Sequence, residues 1–586
     1  MLIPIRSARA TARRSSSPAP LLLVFAVLAA AWSSLAVPAS GTTLRVWVDA
    51  PDGTPIAGLS ADDFVVEVGG DEHAPRLLAT GRASASTLLL VVDPTFMLPG
   101  DLYGVRHGVE RFLATLEPDD RLLLAVPGPR LEIPVRFGAS HDAVLDALGQ
   151  LDEGVTGLRF ERERVSIERE LRRNTVRTEQ SRQAELRAAR VNREMTTLLD
   201  GFRAEAELAV ERLCRQLAAL IQGVGGLPGD TVMVYIGGRL PTEVAVDLAE
   251  LRRLATGGRV AAPPGGSNRV EEQRGVFADL GVAGRALGDE ALFEPLAQRA
   301  AAAGVTVHTL PAAALRTDES DRLAAGASKE ARRLASDARR GDPASRGLRL
   351  LAEETGGRTL GGRRAGDDPL ARVASDLRAT YHLGLGELAR SEATRVRVEL
   401  RRGAAPRRAR VRHRLVVSGD TPDHHAMRRT LSTLLLGELG PAPARADTPL
   451  FEGIDVIPHT PSVGALKTTI RVPLGGLALR PEGRVHTGQL TLFATAGSLS
   501  AGAGRVERAS VPVRIPNHEL LTSLGRRAEL HLDVVLPPGG DRVAISVRDD
   551  FGGRFGSVVA RVEPEPLEVV APIPLDEPVP PQGGVP

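Results

Sequence analysis

The sequence predicts an α/β protein: a doubly wound parallel sheet flanked by β-sandwich domains and interrupted by a long helical insertion. Three observations carry that prediction. Between residues 84 and 386, continuous apolar runs of strand length alternate with amphipathic stretches, as expected of strands buried on both faces by crossover helices. On either side, short segments alternate apolar with polar residues and are divided by Gly and Pro. Residues 158–222 keep a helical period throughout, with no strand signal among them.

The chain opens with Arg6, Arg9, Arg13 and Arg14 and no acid over residues 1–20, then an apolar run over 21–32, then small residues at Ser34, Ala36 and Ala39. That order is a secretory signal peptide, assigned to 1–39, with the mature chain starting near residue 37 or 40. The apolar run is short for a span of about 20 helical residues, which makes an uncleaved anchor the lesser reading. Export implies a secreted, periplasmic or cell-envelope-associated protein.

Residues 41–82 form a β-rich N-terminal module: Leu44, Val46 and Val48 alternate with Arg45 and Trp47, and turn signals stand at Asp52-Gly53 and Gly69-Gly70. The α/β domain, 84–386, begins with an apolar strand at 87–92 and a helix whose Val105, Val109, Phe112 and Leu113 share one face. A strand at 121–126, a ribbon at 131–137 and a helix at 142–151 follow, and the alternation resumes with strands at 231–236 and 305–310. Helices at 348–354 and 369–377 and a strand at 380–385 complete it.

The insertion at 158–222 reads as a single long helical tract that places Val191, Met195, Leu198, Phe202, Ala206, Ala209, Leu213, Leu217 and Leu220 at spacings of three and four, while its first half pairs Arg with Glu, as suits a solvated helix or half of a helical hairpin. A second insertion, 255–289, is a Gly-, Pro- and Arg-rich loop. Residues 387–418 read as a β extension, 450–565 as a C-terminal β-sandwich after a linker around 440–448, and 566–586 as a disordered Pro-rich tail.

Composition bounds the chemistry. The 586 residues exceed what one core organises, and 42% hydrophobic with 25% charged residues is globular. The formal net charge of +2 comes from interspersed bases and acids, so nucleic acid is not an expected partner. Cys214 is the single cysteine, which excludes an intrachain disulfide, an iron–sulfur cluster, a thiolate zinc site and a lipobox; its place in an apolar helical stripe marks it as a structural thiol. There is no Gly-x-Ser-x-Gly elbow, His-Glu-x-x-His or Walker loop. Gly223-Val224-Gly225-Gly226 precedes a strand instead of following one, so it fails the dinucleotide context. His424-His425 with Asp420 and Asp423 reads as a solvated linker.

Several segments carry a family likeness. Asp49-Ala50-Pro51-Asp52-Gly53, Gly58-Leu59 and Asp63-Phe64 form an opening hairpin before an acidic strand, and residues 88–93 a first sheet strand. Ala303-Gly304-Val305-Thr306-Val307-His308, Leu351-Ala352-Glu353-Glu354-Thr355-Gly356-Gly357-Arg358 and Tyr381-His382-Leu383-Gly384-Leu385 follow. Over about residues 43–417 this set resembles the exported, acidobacterial-type bacterial proteins related to von Willebrand factor type A domains. The resemblance implies a type A-like fold with a metal-ion-dependent adhesion site, built from Asp-x-Ser-x-Ser, a loop Thr and a further Asp. Asp93-Pro94-Thr95-Phe96-Met97 keeps the first Asp and a hydroxyl, Thr156 matches the loop Thr, and Gly237-Gly238 stands where Ser-Asp is expected. The site is therefore degenerate: Asp93, Thr95 and Thr156 remain, two ligand positions are lost, and no cofactor is expected, Mg²⁺ being the lesser alternative.

The functional expectation is an exported, non-enzymatic protein–protein interaction or adhesion protein, acting without metal. It would bind an unidentified protein or cell-envelope ligand through the loop rim around Asp93, Thr95, Thr156 and Gly238, with no membrane span after signal cleavage. The alternative is a structural or assembly protein of the cell envelope, a homo-oligomer self-associating through 158–222.

Overall fold

The structure, a computed structural model, describes residues 42–562 apart from 82–84, 99, 152–154, 175–181, 226, 228, 243–247, 249–289, 318–344, 362–367, 386–393, 407, 418–421, 437–452, 460–464 and 500. The expected signal peptide, the 255–289 loop, the 440–448 linker and the 566–586 tail lie outside the described residues. The architecture is mixed α/β with several sheets. Among the described residues, no helix is long and apolar enough to cross a membrane.

Four short strands come first: β1 (Thr43–Asp49), β2 (Phe64–Val68), β3 (Asp71–His73) and β4 (Arg76–Thr80). The central sheet contains β5 (Ser86–Asp93), β6 (Arg121–Val126), β7 (Glu132–Val135), β8 (Asp230–Gly237) and β9 (Val305–Pro311), in the order β7-β6-β5-β8-β9. All neighbours are parallel except the edge strand β7. Along the chain these are strands 3-2-1-4-5 of the sheet, a doubly wound order that reverses direction between β5 and β8.

Two helical layers cover the sheet, because alternate residues of its apolar strands face opposite ways. Leu88, Leu90, Val92, Val232 and Val234 meet α1 (Asp101–Leu113), α2 (His141–Gly149) and, farther along the chain, residues 369–378. Leu89, Val91, Met233, Tyr235 and Val307 face the insertion, which is described as two helices, α3 (Val155–Asn174) and α4 (Arg182–Val224). At 43 residues, α4 runs about 65 Å. Its stripe at Phe202, Ala206, Leu213, Leu217 and Leu220 is buried in this core, with Phe160 and Ile167 of α3 packed on it. That part of the stripe serves the crossover of its own chain, while Leu198 and Leu208 of the same helix stay exposed. The layer is completed by α5 (Glu290–Ala303) and α6 (Arg346–Glu354), and α7 (Pro369–Arg378) completes the other.

After α7 the chain leaves the parallel sheet. β10 (Tyr381–Gly384), expected to close that sheet, lies antiparallel between β1 and β4. The reason is side-chain burial: Tyr381 and Leu383 enter a core shared with Leu44, Val46, Phe64 and Val66, while Thr359 makes only an isolated parallel bridge to Thr309. With β11 (Thr394–Leu400), β12 (Arg410–His413) and β13 (Val416–Val417), two sheets form, β12-β1-β10-β4 and β13-β11-β2-β3. The N-terminal module and the β extension are thus one two-sheet unit, and Arg45 of β1 donates to the carbonyls of Thr231 and Gly304 at the amino ends of β8 and β9.

The segment containing His424 and His425 is a docked helix, α8 (Pro422–Leu436), and not a solvated linker. Ala426, Thr430, Leu434 and Leu435 are buried, the Thr430 hydroxyl donates to Ser546 Oγ at 2.8 Å, and Asp423 pairs with Arg508 and Arg548. Beneath α8 lie two antiparallel sheets. One contains β14 (Asp455–Pro458), β15 (Ala465–Pro473) and a strand at Arg527–Val535; the other is built on the long strand Val485–Ser498.

Candidate functional site

In open α/β sheets, ligands bind beyond the carboxyl ends of the strands where the winding reverses. Here that crevice lies between Asp93, the last residue of β5, and Gly237, its register partner at the end of β8. Thr95 follows Asp93 directly, since the aspartate caps the short 94–96 turn: its Oδ1 accepts from Thr95 N at 3.0 Å. The Tyr235 hydroxyl donates to the other oxygen, Oδ2, at 3.0 Å. Asp93 is only 1% exposed. Burial pushes its carboxyl above the ordinary range, against the hydrogen bonds from Thr95 and Tyr235; burial and then the Asp93 charge push the Tyr235 phenol well up.

The crevice is filled by its own walls. Met97 is fully buried, and a Cβ on Gly238 would collide with the Phe96 backbone carbonyl. A Cβ on Gly237 would lie 2.5 Å from the Tyr235 hydroxyl oxygen. Of the two glycines standing where a hydroxyl and a carboxylate were expected, Gly238 is therefore required by the packing of the loop after β5 and Gly237 by the Tyr235 ring. An aromatic chain roofs the site: Phe96 and Phe160 have ring centroids 6.1 Å apart, and Phe160 meets Phe202 edge-on at 5.5 Å and 89°. Arg159 of α3 pairs with Glu205 of α4 beside them.

The structure thus brings Asp93 and Thr95 together. Thr156 lies in the first turn of α3, and its side chain is outside the described residues. Of the lost positions, Met97 is core and Gly238 is in contact with backbone. Mg²⁺ prefers an octahedron of oxygens around one or two accessible carboxylates. One buried carboxylate with both oxygens engaged by protein donors, between a methionine and two glycines, does not fit it. Among the described residues, no group of three or more His, Cys, Asp or Glu is close enough to hold a metal.

A second polar cluster was not assigned any role by sequence. Arg358 donates to Asp376 from Nε at 2.8 Å and to both Asp376 and Asp49 from Nη2 at 2.9 and 2.6 Å. Arg412 donates to Asp49 at 2.6 Å, Asp376 at 2.9 Å and the Gly356 carbonyl at 2.9 Å. The indole N–H of Trp47 donates to the Asp376 carbonyl, and Arg412 lies over its ring. Burial alone would raise the Asp376 carboxyl, but the two guanidiniums hold it below the ordinary range. Burial pushes the neighbouring His308 down to about 3, so its ring is neutral and Nδ1 accepts from Arg358 N. This four-charge lattice joins β1 and β12 to β9 and α7.

The motif residues behind the family likeness serve this joint. The Thr355 hydroxyl accepts from Val307 N, and a Cβ on Gly357 would strike the Val307 carbonyl. Ser60 and Asp63 form a capping box before Phe64. Tyr381 Oη accepts from Leu59 N and donates to the Ile56 carbonyl, closing the opening hairpin. Cues for the missed residues were present: Tyr235 is a polar-tipped aromatic in an otherwise apolar strand, and such a hydroxyl needs a buried partner.

No protein-family model and no curated protein matches the sequence. Among solved structures, the chain is similar to an aerotolerance-related membrane protein from Bacteroides fragilis at 11% identity and a TM-score of 0.21. The match covers 50% of this chain and 98% of that one.

Proposed function

We propose that the chain is an exported, non-enzymatic interaction protein whose type A-like domain recognises a protein or cell-envelope ligand without a metal ion. The observation that supports this is the filled crevice: Asp93 is held by Tyr235 and Thr95, and Gly238 lies against the Phe96 carbonyl. Recognition then falls to the rim and to the α3–α4 pair roofing it, where Arg162 and Arg169 are exposed and Arg159 pairs with Glu205. Loops and helices at the carboxyl edge of such a sheet are open to partners while the strands are not.

The test is site-specific photocrosslinking to envelope fractions of the source cells, with the photoreactive residue at Arg162 on α3 or at Arg408 in the β extension. The proposal expects adducts from position 162 that survive EDTA. Adducts that require Mg²⁺, or that form only from position 408, would overturn it.

A further inference from the structure

At one end of the C-terminal sandwich four turns converge, and none of them takes part in the reading above. Leu474 N donates to the Arg526 carbonyl at 3.0 Å and Asn517 N to the Arg484 carbonyl at 3.0 Å. Ala478 N donates to Asp549 Oδ2 at 2.7 Å, and Arg554 Nη1 to the Gly476 carbonyl at 2.9 Å. These bonds fasten together the 474–478 turn, the turn at Gly483, the segment carrying α9 (Leu520–Leu524) and the 550–554 turn. The other end of the sandwich, at Leu499 and Ala503, is the one that packs on the α4 core.

This distal end displays apolar side chains to solvent. Leu521 on α9 is 86% exposed, the highest value of any large apolar residue among those described, and Phe551 on the adjacent turn is 36% exposed. Arg480 stacks on Phe551 with its guanidinium carbon 4.2 Å from the ring centroid. Exposed Arg480, Arg484, Arg526 and Arg554 surround the tip, against exposed Glu482 and Glu519 and the buried Asp549, leaving a net charge of +1. Asp550 is paired with Arg548, and Asp549 accepts from the backbone N–H groups of Ala478, Phe551 and Gly552.

From this juxtaposition we infer that the distal end of the sandwich docks on an anionic phospholipid surface, as a peripheral contact. Apolar side chains held out on rigid turns gain by entering the acyl boundary, and guanidiniums beside them bind lipid phosphates. The basic ring is what selects an anionic lipid over a neutral apolar groove on another protein.

The inference is tested with the chain from residue 41 onward, the mature form expected after signal cleavage. Vesicles of phosphatidylcholine with and without phosphatidylglycerol are sedimented with it. The expected result is binding to the phosphatidylglycerol vesicles that weakens with salt and falls at least about tenfold in L521D/F551D. Both side chains are exposed, Leu521 on α9 and Phe551 on its turn, so an unchanged melting curve confirms that the variant is folded. A second variant, Leu521→Trp, reads the tip directly: its emission shifts to the blue on phosphatidylglycerol vesicles. Absence of vesicle binding by the parent chain, equal binding by L521D/F551D, or a Leu521→Trp emission that stays that of an exposed indole would each overturn the inference.

Discussion

Arg358→Met removes one cation from the lattice that joins the β unit to the α/β sheet, while keeping most of the side-chain volume. Three charge-assisted hydrogen bonds are lost, to Asp376 Oδ2, Asp376 Oδ1 and Asp49 Oδ1. Asp49 and Asp376, whose side chains are 5% and 2% exposed, then share the single cation Arg412. Leaving an uncompensated buried charge costs about 3–5 kcal/mol. Arg358→Lys keeps the charge but not the planar fork, so its cost is about half of that. Pairing Arg358→Met with Asp376→Asn restores neutrality, and the double variant is expected to recover more than about 1.5 kcal/mol of the summed single losses. In the chain from residue 41 onward, Trp47 is the only tryptophan, and it touches both Asp376 and Arg412. Its fluorescence during urea unfolding therefore reports on the joint, and R358M is expected to lower the midpoint by more than about 1 M. A loss under about 1 kcal/mol, or strict additivity in the cycle, would refute the reasoning that these four charges form one interdependent structure.

The remaining predictions concern the same two clusters. His308 has its folded value depressed to about 3, so only the unfolded chain takes up its proton between pH 6.5 and 3. Stability is therefore complete above about pH 6.5 and falls by about 1.4 kcal/mol per pH unit below it, a slope that urea midpoints should show and His308→Gln should flatten. Tyr235→Phe strips a donor from the buried Asp93 carboxylate, at a cost of about 1.5–3 kcal/mol near pH 7. That cost shrinks in acid as Asp93 becomes protonated, and an equal loss at pH 4 and pH 7 would contradict the assignment. Gly238→Ser forces the Phe96 loop away and should destabilise by about 3 kcal/mol without creating a cation site; a variant as stable as the parent would show that the crevice is looser than described.

Much of the fold was legible in the sequence because buried parallel strands leave continuous apolar runs and their crossover helices leave a 3.6-residue period. β5, β6, β8 and β9 lie where those runs predicted. What periodicity does not carry is the partner of a strand. β10 has an apolar alternation compatible with either sheet, and only the fit of Tyr381 and Leu383 into the β-unit core sends it to β1 and β4. For the same reason α8 was missed, since His424, His425 and the arginines after them obscure a helix face that only the sandwich completes. At the candidate site, the loss of ligand types at Met97 and Gly238 could be read directly. The filling of the space they left could not, because Tyr235, Phe160 and Phe202 are brought there from distant parts of the chain. The signature residues Asp49, Gly357 and Arg358 marked a family likeness, and their physical role as an interdomain joint emerged only from their contacts.

With Asp93 held by Tyr235 and Thr95, no cation is expected to enter the crevice after β5 and β8. Calorimetric titration of Mg²⁺ and Mn²⁺ into the chain from residue 41 onward, with Asp93→Ala as the control, tests it most directly. No saturable heat is expected in either protein, and no change in the Trp47 melting midpoint with added cation. Saturable binding by the parent chain that disappears in Asp93→Ala would contradict it, and would make cation-dependent adhesion the working mechanism instead.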